Sequence, residues 1–131
     1  MVECQEHYLD VGGVSLCWFE WGQKRKGEDS ILLVHATGFH ARCWDKTVAG
    51  LGDRHVIAID QRGHGQSSKP DDDYAMVTVA NEVRELIALW DWTAPLVAGQ
   101  SWGANVVLEF AHRHPGIAQS ITCVDGGFIQ L

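Results

Sequence analysis

Leu96-Val97-Ala98-Gly99-Gln100-Ser101-Trp102-Gly103-Ala104 is the stretch that decides how this chain folds. Leu96-Val97-Ala98 is a short apolar run of the kind a strand covered on both faces needs. Ser101 opens a helix that runs to about His114 and stops before Pro115-Gly116. Between strand and helix lies a G-x-S-x-G pattern. A nucleophile at the tip of a strand has to leave the sheet abruptly and point outward. That demands a strained turn, and glycines two before and two after remove the Cβ atoms that would clash. The helix that follows aims its first amides and the positive end of its dipole at developing negative charge. The bare pattern recurs by chance too readily to decide anything. Its place after a buried strand and before a helix is the context the motif requires. The competing reading is an ordinary strand-to-helix turn with Ser101 as N-cap.

Working outward, strands and helices alternate. His7 to Val11 and Val14 to Trp21 are strand-like runs around Gly12-Gly13, a two-residue hairpin turn. Gly22 to Ser30 is a polar loop. Ile31-Leu32-Leu33-Val34 and Val56-Ile57-Ala58-Ile59 are buried strands, separated by a short helix over Trp44 to Leu51 that Gly52 ends. Val79, Val83, Leu86, Ile87 and Trp90 fall on one face of an amphipathic helix. Ile121 to Val124 is the last strand. The pattern predicts an α/β fold: a mostly parallel sheet of about six strands, an N-terminal antiparallel hairpin and helices on both faces.

The 131 residues suit one domain, and with 46% of them apolar they can bury a core. The net charge of −7, with no basic cluster beyond Lys24-Arg25-Lys26, argues against nucleic acid as partner. The four cysteines form no C-x-x-C pair and show no metal-ligand spacing. Cys17 and Cys123 read as small buried hydrophobes, and a reduced cytoplasmic setting is expected. Neither a signal peptide nor an apolar run near the length of about 18 residues needed for a membrane span is visible.

Two further stretches carry chemistry. His35-Ala36-Thr37-Gly38-Phe39 follows a buried strand. Acyl transfer needs two amide donors where an oxyanion forms. Trp102, next to the nucleophile, supplies one, and Thr37 is the candidate for the other. Asp60-Gln61-Arg62-Gly63-His64-Gly65-Gln66-Ser67 reads as a tight loop held by polar contacts. It lacks both the P-loop pattern and the third glycine of a dinucleotide fingerprint.

Taken in order, these stretches resemble the α/β-hydrolase fold superfamily, specifically its fold-1 group. The resemblance rests on His35 with Thr37 and Trp44, on Asp60-x-Arg62-Gly63-His64-Gly65-x-Ser67, on Pro70 and Tyr74, and on the Ser101 turn. Ala36 departs from the usual glycine. The Ser101-Trp102 pair also looks like the Asp-Trp turn of haloalkane dehalogenases and epoxide hydrolases. Serine in place of that aspartate argues for acyl chemistry rather than an alkyl-enzyme route.

The resemblance implies a triad in chain order Ser, acid, His, acting on an ester, lactone or similar acyl bond of a small molecule, without cofactor or metal. Asp125, after the sixth strand, is the candidate acid. No histidine here matches the triad position. The resemblance makes His35 a brace for the oxyanion loop, and His7, His40, His55, His64, His112 and His114 are weaker candidates still. Residues 1–131 therefore read as the N-terminal part of a single domain. Phe39, Trp44, Trp102 and Phe128 are the aromatic candidates for the substrate wall, Phe39 and Trp102 foremost. The last strand would be an open apolar edge, prone to self-association. The rival reading is a non-catalytic ligand-binding or interaction module. Lyase, haloperoxidase-like or C–C bond hydrolase chemistry would fit the same turn.

Overall fold

A computed structural model of the chain describes residues 3–89 and 94–127. Strands β1 (Cys4–Val11) and β2 (Val14–Trp21) form the expected hairpin, with Gly12 and Gly13 both at positive φ. β3 (Ile31–Val34), β4 (Val56–Ile59), β5 (Leu96–Gln100) and β6 (Ser120–Val124) complete one six-stranded sheet in the order β1-β2-β4-β3-β5-β6. β2 meets β4 antiparallel, and β3 through β6 run parallel to one another. Helices α1 (Asp45–Gly50), α2 (Met76–Ile87) and α3 (Trp102–Arg113) cover the sheet.

Strand alternation divides the core in two. Leu16, Trp18, Leu32, Val34, Ile57, Ile59 and Val97 face one side. There they meet Val79, Val83 and Leu86 of α2 and Val106, Val107 and Phe110 of α3. The intervening residues Cys17, Phe19, Trp21, Leu33, Val56 and Ala58 face the other side and meet Ala41 and Val48. Full burial of a Leu, Ile or Phe side chain stabilises by about 1.5–3 kcal/mol, so the two layers account for the sheet's position between its helices.

Two expectations need correction. The segment before α1 winds as a 3-10 turn over Ala41–Trp44, because the Ala41 amide donates to Asp60 Oδ1 at 2.7 Å. Trp44 is partly buried and packs against the α1-side cluster. Cys123 is exposed rather than buried. Among the described residues β6 pairs only with β5, so its outer side is uncovered. Ser101 makes no side-chain cap bond, and α3 begins at Trp102. Trp90 and Phe128 lie outside the described residues. Among the described residues, no helix is long and apolar enough to cross a membrane.

Candidate active site

The parallel register brings three strand ends together. Val34 of β3 and Cys123 of β6 both lie opposite Gly99 of β5. The loops after β3, β5 and β6 therefore cluster at the carboxyl edge of the sheet, where open α/β sheets bind their ligands. Ser101 sits at the middle of this edge with an exposed side chain.

Its backbone is strained. Ser101 has φ +55° and ψ −114°, a conformation rare for a residue with a Cβ. Close packing holds it there. A Cβ on Gly99 would fall on the carbonyl of Gly103, and one on Gly103 would fall on the carbonyl of Val34. Only glycine lets α3 start this close to β3 and β5. The Ser101 amide donates to Val124 O at 2.9 Å, which ties the turn to β6. Gly126 backs the same turn: a Cβ there would lie 2.5 Å from Ser101 O and 2.8 Å from its Cα. The residue before it, Asp125, is exposed and also left-handed, at φ +51°. The structure thus brings a carboxylate-bearing residue to the edge beside Ser101.

The loop after β3 forms the opposite wall. Phe39 N–H donates to Ala36 O at 3.1 Å, and Gly38 has φ +83°. That is a type II turn with glycine where positive φ is required. Thr37, Gly38 and Phe39 are exposed, and Trp102 is half-buried against the core. Among the described residues the Thr37 and Trp102 amides find no acceptor in the protein. The Trp102 amide is one of the unsatisfied donors that every helix start presents.

Two imidazoles lie behind this loop. His35 is 1% exposed. Its Nδ1 lies 2.8 Å from Ala36 O and its Nε2 accepts the Gln61 amide at 3.0 Å. This pattern assigns the proton to Nδ1 and leaves the ring neutral. Burial pushes its pKa down from 6.5 to about 4, against a smaller upward pull from the Ala36 carbonyl. His64 is placed alike: Nδ1 faces Arg62 O at 3.0 Å and Nε2 accepts the Gly38 amide at 3.0 Å. Both rings have both nitrogens committed, which leaves neither with a free nitrogen to act as a base.

The Asp60–Ser67 loop is indeed a polar knot. The Asp60 carboxylate accepts the amides of Ala41 and Gln66, and Ser67 Oγ donates to Asp60 O at 2.6 Å. Arg62 is buried with Glu82 of α2, Nη2 to Oε2 at 2.9 Å, and Nη1 donates to Asp73 O. Sequence reasoning found this loop but missed the bond between His64 and Gly38. The Gly63-His64-Gly65 spacing was its only trace. A cavity of about 440 Å³ lies elsewhere, lined by Glu20, Gln23, Arg25 and Asp53 among others, and includes none of the residues of the Ser101 edge.

A mostly parallel sheet with a strained serine at its carboxyl edge defines an α/β-hydrolase type of protein. The model of the alpha/beta hydrolase family matches residues 31–129, and the chain belongs to that family. An uncharacterized protein of Mycobacterium tuberculosis is 36% identical over 99 residues, covering 75% of this chain and 29% of the relative. The pimeloyl-[acyl-carrier protein] methyl ester esterase of Methylococcus capsulatus is 37% identical over 100 residues, covering 73% of this chain and 36% of the relative. A crystal structure of a membrane phospholipase A superposes with TM-score 0.87 at 29% identity, over 97% of this chain and 41% of that one. Epoxide hydrolases are also among the relatives, and a thioesterase domain shares the fold with TM-score 0.84 at 24% identity. The chain spans 29–46% of the length of these proteins.

Proposed function

We propose that this chain carries the nucleophile and oxyanion hole of a serine hydrolase that cleaves an ester, lactone or similar acyl bond in a small molecule. The observation that carries this reading is Ser101, exposed and held at φ +55° on the turn from β5 into α3. Ser101 Oγ attacks the carbonyl carbon, and the Trp102 and Thr37 amides receive the oxyanion. One such donor typically contributes about 2.7–4 kcal/mol of transition-state stabilisation. Phe39 and Trp102 form part of the apolar wall for the substrate. Asp125 is the candidate acid, and none of the seven histidines matches the triad position of the base that would activate Ser101. The relatives include epoxide hydrolases as well as an esterase, so the family alone leaves the bond class open. Serine at the nucleophile position supports acyl over alkyl transfer, because a serine-linked alkyl ether would not hydrolyse readily, whereas an acyl ester does.

A serine-directed fluorophosphonate tests this. We expect the wild-type chain to label and Ser101→Ala not to label. Equal labelling of the two would refute Ser101 as nucleophile. No labelling of the wild type refutes catalytic competence of this chain by itself and favours a binding module.

A further inference from the structure

The Ala36–Phe39 turn exposes a weakness in the proposed oxyanion hole. The central peptide of a type II turn, here Thr37–Gly38, can rotate to the type I orientation without breaking the bond that closes the turn. That bond is Phe39 N–H to Ala36 O, and it leaves the Gly38 amide uncommitted. Residues 37–40 are all exposed, so little packing opposes the rotation.

We propose that His64 is a positioning residue for the oxyanion loop, fixing the Thr37–Gly38 peptide through its hold on the Gly38 amide. This inference rests on the reading of Ser101 and Thr37 above. Its geometry is direct. His64 Nε2 accepts Gly38 N–H at 3.0 Å, while His64 Nδ1 donates to Arg62 O at 3.0 Å and so keeps the lone pair on Nε2. The ring stands on a rigid base. Gly63 N–H donates to Ser68 O at 2.8 Å, His64 N–H to Gln61 O at 2.9 Å, and Ser67 N–H to His64 O at 3.1 Å. The neighbouring Arg62 is clamped by Glu82. The His35 ring lies 4.8 Å away, tilted by 57°, and limits how far the His64 ring can swing. A continuous path therefore runs from α2 through Arg62 and His64 to the loop that bears Thr37. His64 touches no substrate in this scheme. It keeps one rotatable peptide still while charge develops one residue away.

The test compares wild type, His64→Ala and His64→Gln as purified full chains. The glutamine carbonyl reaches about as far as Nε2 and can accept the Gly38 amide; alanine cannot. Fluorophosphonate labelling is read as the limiting rate and the half-saturating reagent concentration. Losing a whole oxyanion donor costs about 10²–10³ in rate, so freeing the peptide next to one should cost about tenfold. We expect His64→Ala to lower the limiting rate about tenfold with half-saturation unchanged, and His64→Gln to recover most of the loss. In nitrogen-15 spectra, a scalar coupling between Gly38 N and His64 Nε2 reports the bond directly. Two results overturn the role while leaving the Ser101 reading intact. One is wild-type labelling kinetics in His64→Ala. The other is an equal fall in both variants that tracks an equal fall in melting temperature. A wild type that does not label refutes catalytic competence of this chain by itself; the positioning role is then judged by the scalar coupling between Gly38 N and His64 Nε2, whose absence overturns it.

Discussion

Acid should unfold this protein through His35. The ring is 1% exposed, neutral and hydrogen-bonded at both nitrogens, and its pKa falls from 6.5 to about 4 on burial. A base with a lowered value in the folded state binds its proton more readily when unfolded. The stabilising effect is therefore fully present above pH 6.5 and is lost as pH falls from 6.5 towards about 4. The gap of about 2.5 pH units, at about 1.36 kcal/mol each, amounts to about 3 kcal/mol. That is a large share of a typical domain's 5–15 kcal/mol, with a limiting slope of about 1.4 kcal/mol per pH unit. Urea unfolding, followed by tryptophan fluorescence at successive pH values, measures it. Carboxylates also titrate at the low end, so the comparison is with His35→Gln. There a carbonyl can accept the Gln61 amide and nothing titrates at position 35. The wild-type curve should fall more steeply than the variant's between pH 6.5 and about 4.5. Parallel curves across that window would refute the argument that buried His35 is held neutral.

Two further perturbations probe the supports of the site. In Gly103→Ala the new Cβ meets the carbonyls of Val34 and His35. Both are backbone and cannot swing aside, so urea melts should show a loss of about 1–3 kcal/mol or more. Wild-type stability would mean that α3 does not sit this close to β3. Glu82→Gln removes the negative charge that balances buried Arg62, whose own pKa Glu82 raises by hydrogen bonding. The expected loss is about 3–5 kcal/mol, again by urea melts, and a loss under about 1 kcal/mol would argue against a buried pair.

What could be read from the sequence was local. β3 and β4 are the predicted runs, residue for residue, because a four-residue apolar stretch between polar loops has few other uses. Gly12-Gly13 fixed the hairpin, although β1 reaches back to Cys4, where Trp21 is its partner. The Ser101 turn was legible because its glycines serve a steric need within a few residues. Features set by a distant partner were not legible. The 3-10 turn at Ala41–Trp44 depends on Asp60, 19 residues on. The Arg62–Glu82 pair joins residues 20 apart, and His64 reaches back 26 residues to Gly38. Nothing in the periodicity of either segment names the other. The exposure of Cys123 followed from the place of β6 in the sheet order rather than from its apolar sequence.

The strain at Ser101 explains why these distant contacts matter for the chemistry. A residue held in so sparse a backbone region costs about 1–3 kcal/mol and persists only where its surroundings over-determine it. Three surroundings do so, each from a different strand. The end of β3 abuts Gly103, β5 feeds the turn through Gly99, and β6 accepts the Ser101 amide and places Gly126 beneath it. The first two are interior strands of the sheet. Among the described residues β6 is an edge strand, with Thr122, Cys123 and Val124 exposed. Edge strands open more readily than central ones, since pairing on one side is all that holds them. Detaching β6 removes both an acceptor from the Ser101 amide and the backing of Gly126, so the turn can relax and the hydroxyl lose its aim. Among the described residues, the aim of Ser101 is thus limited by the least supported strand beside it.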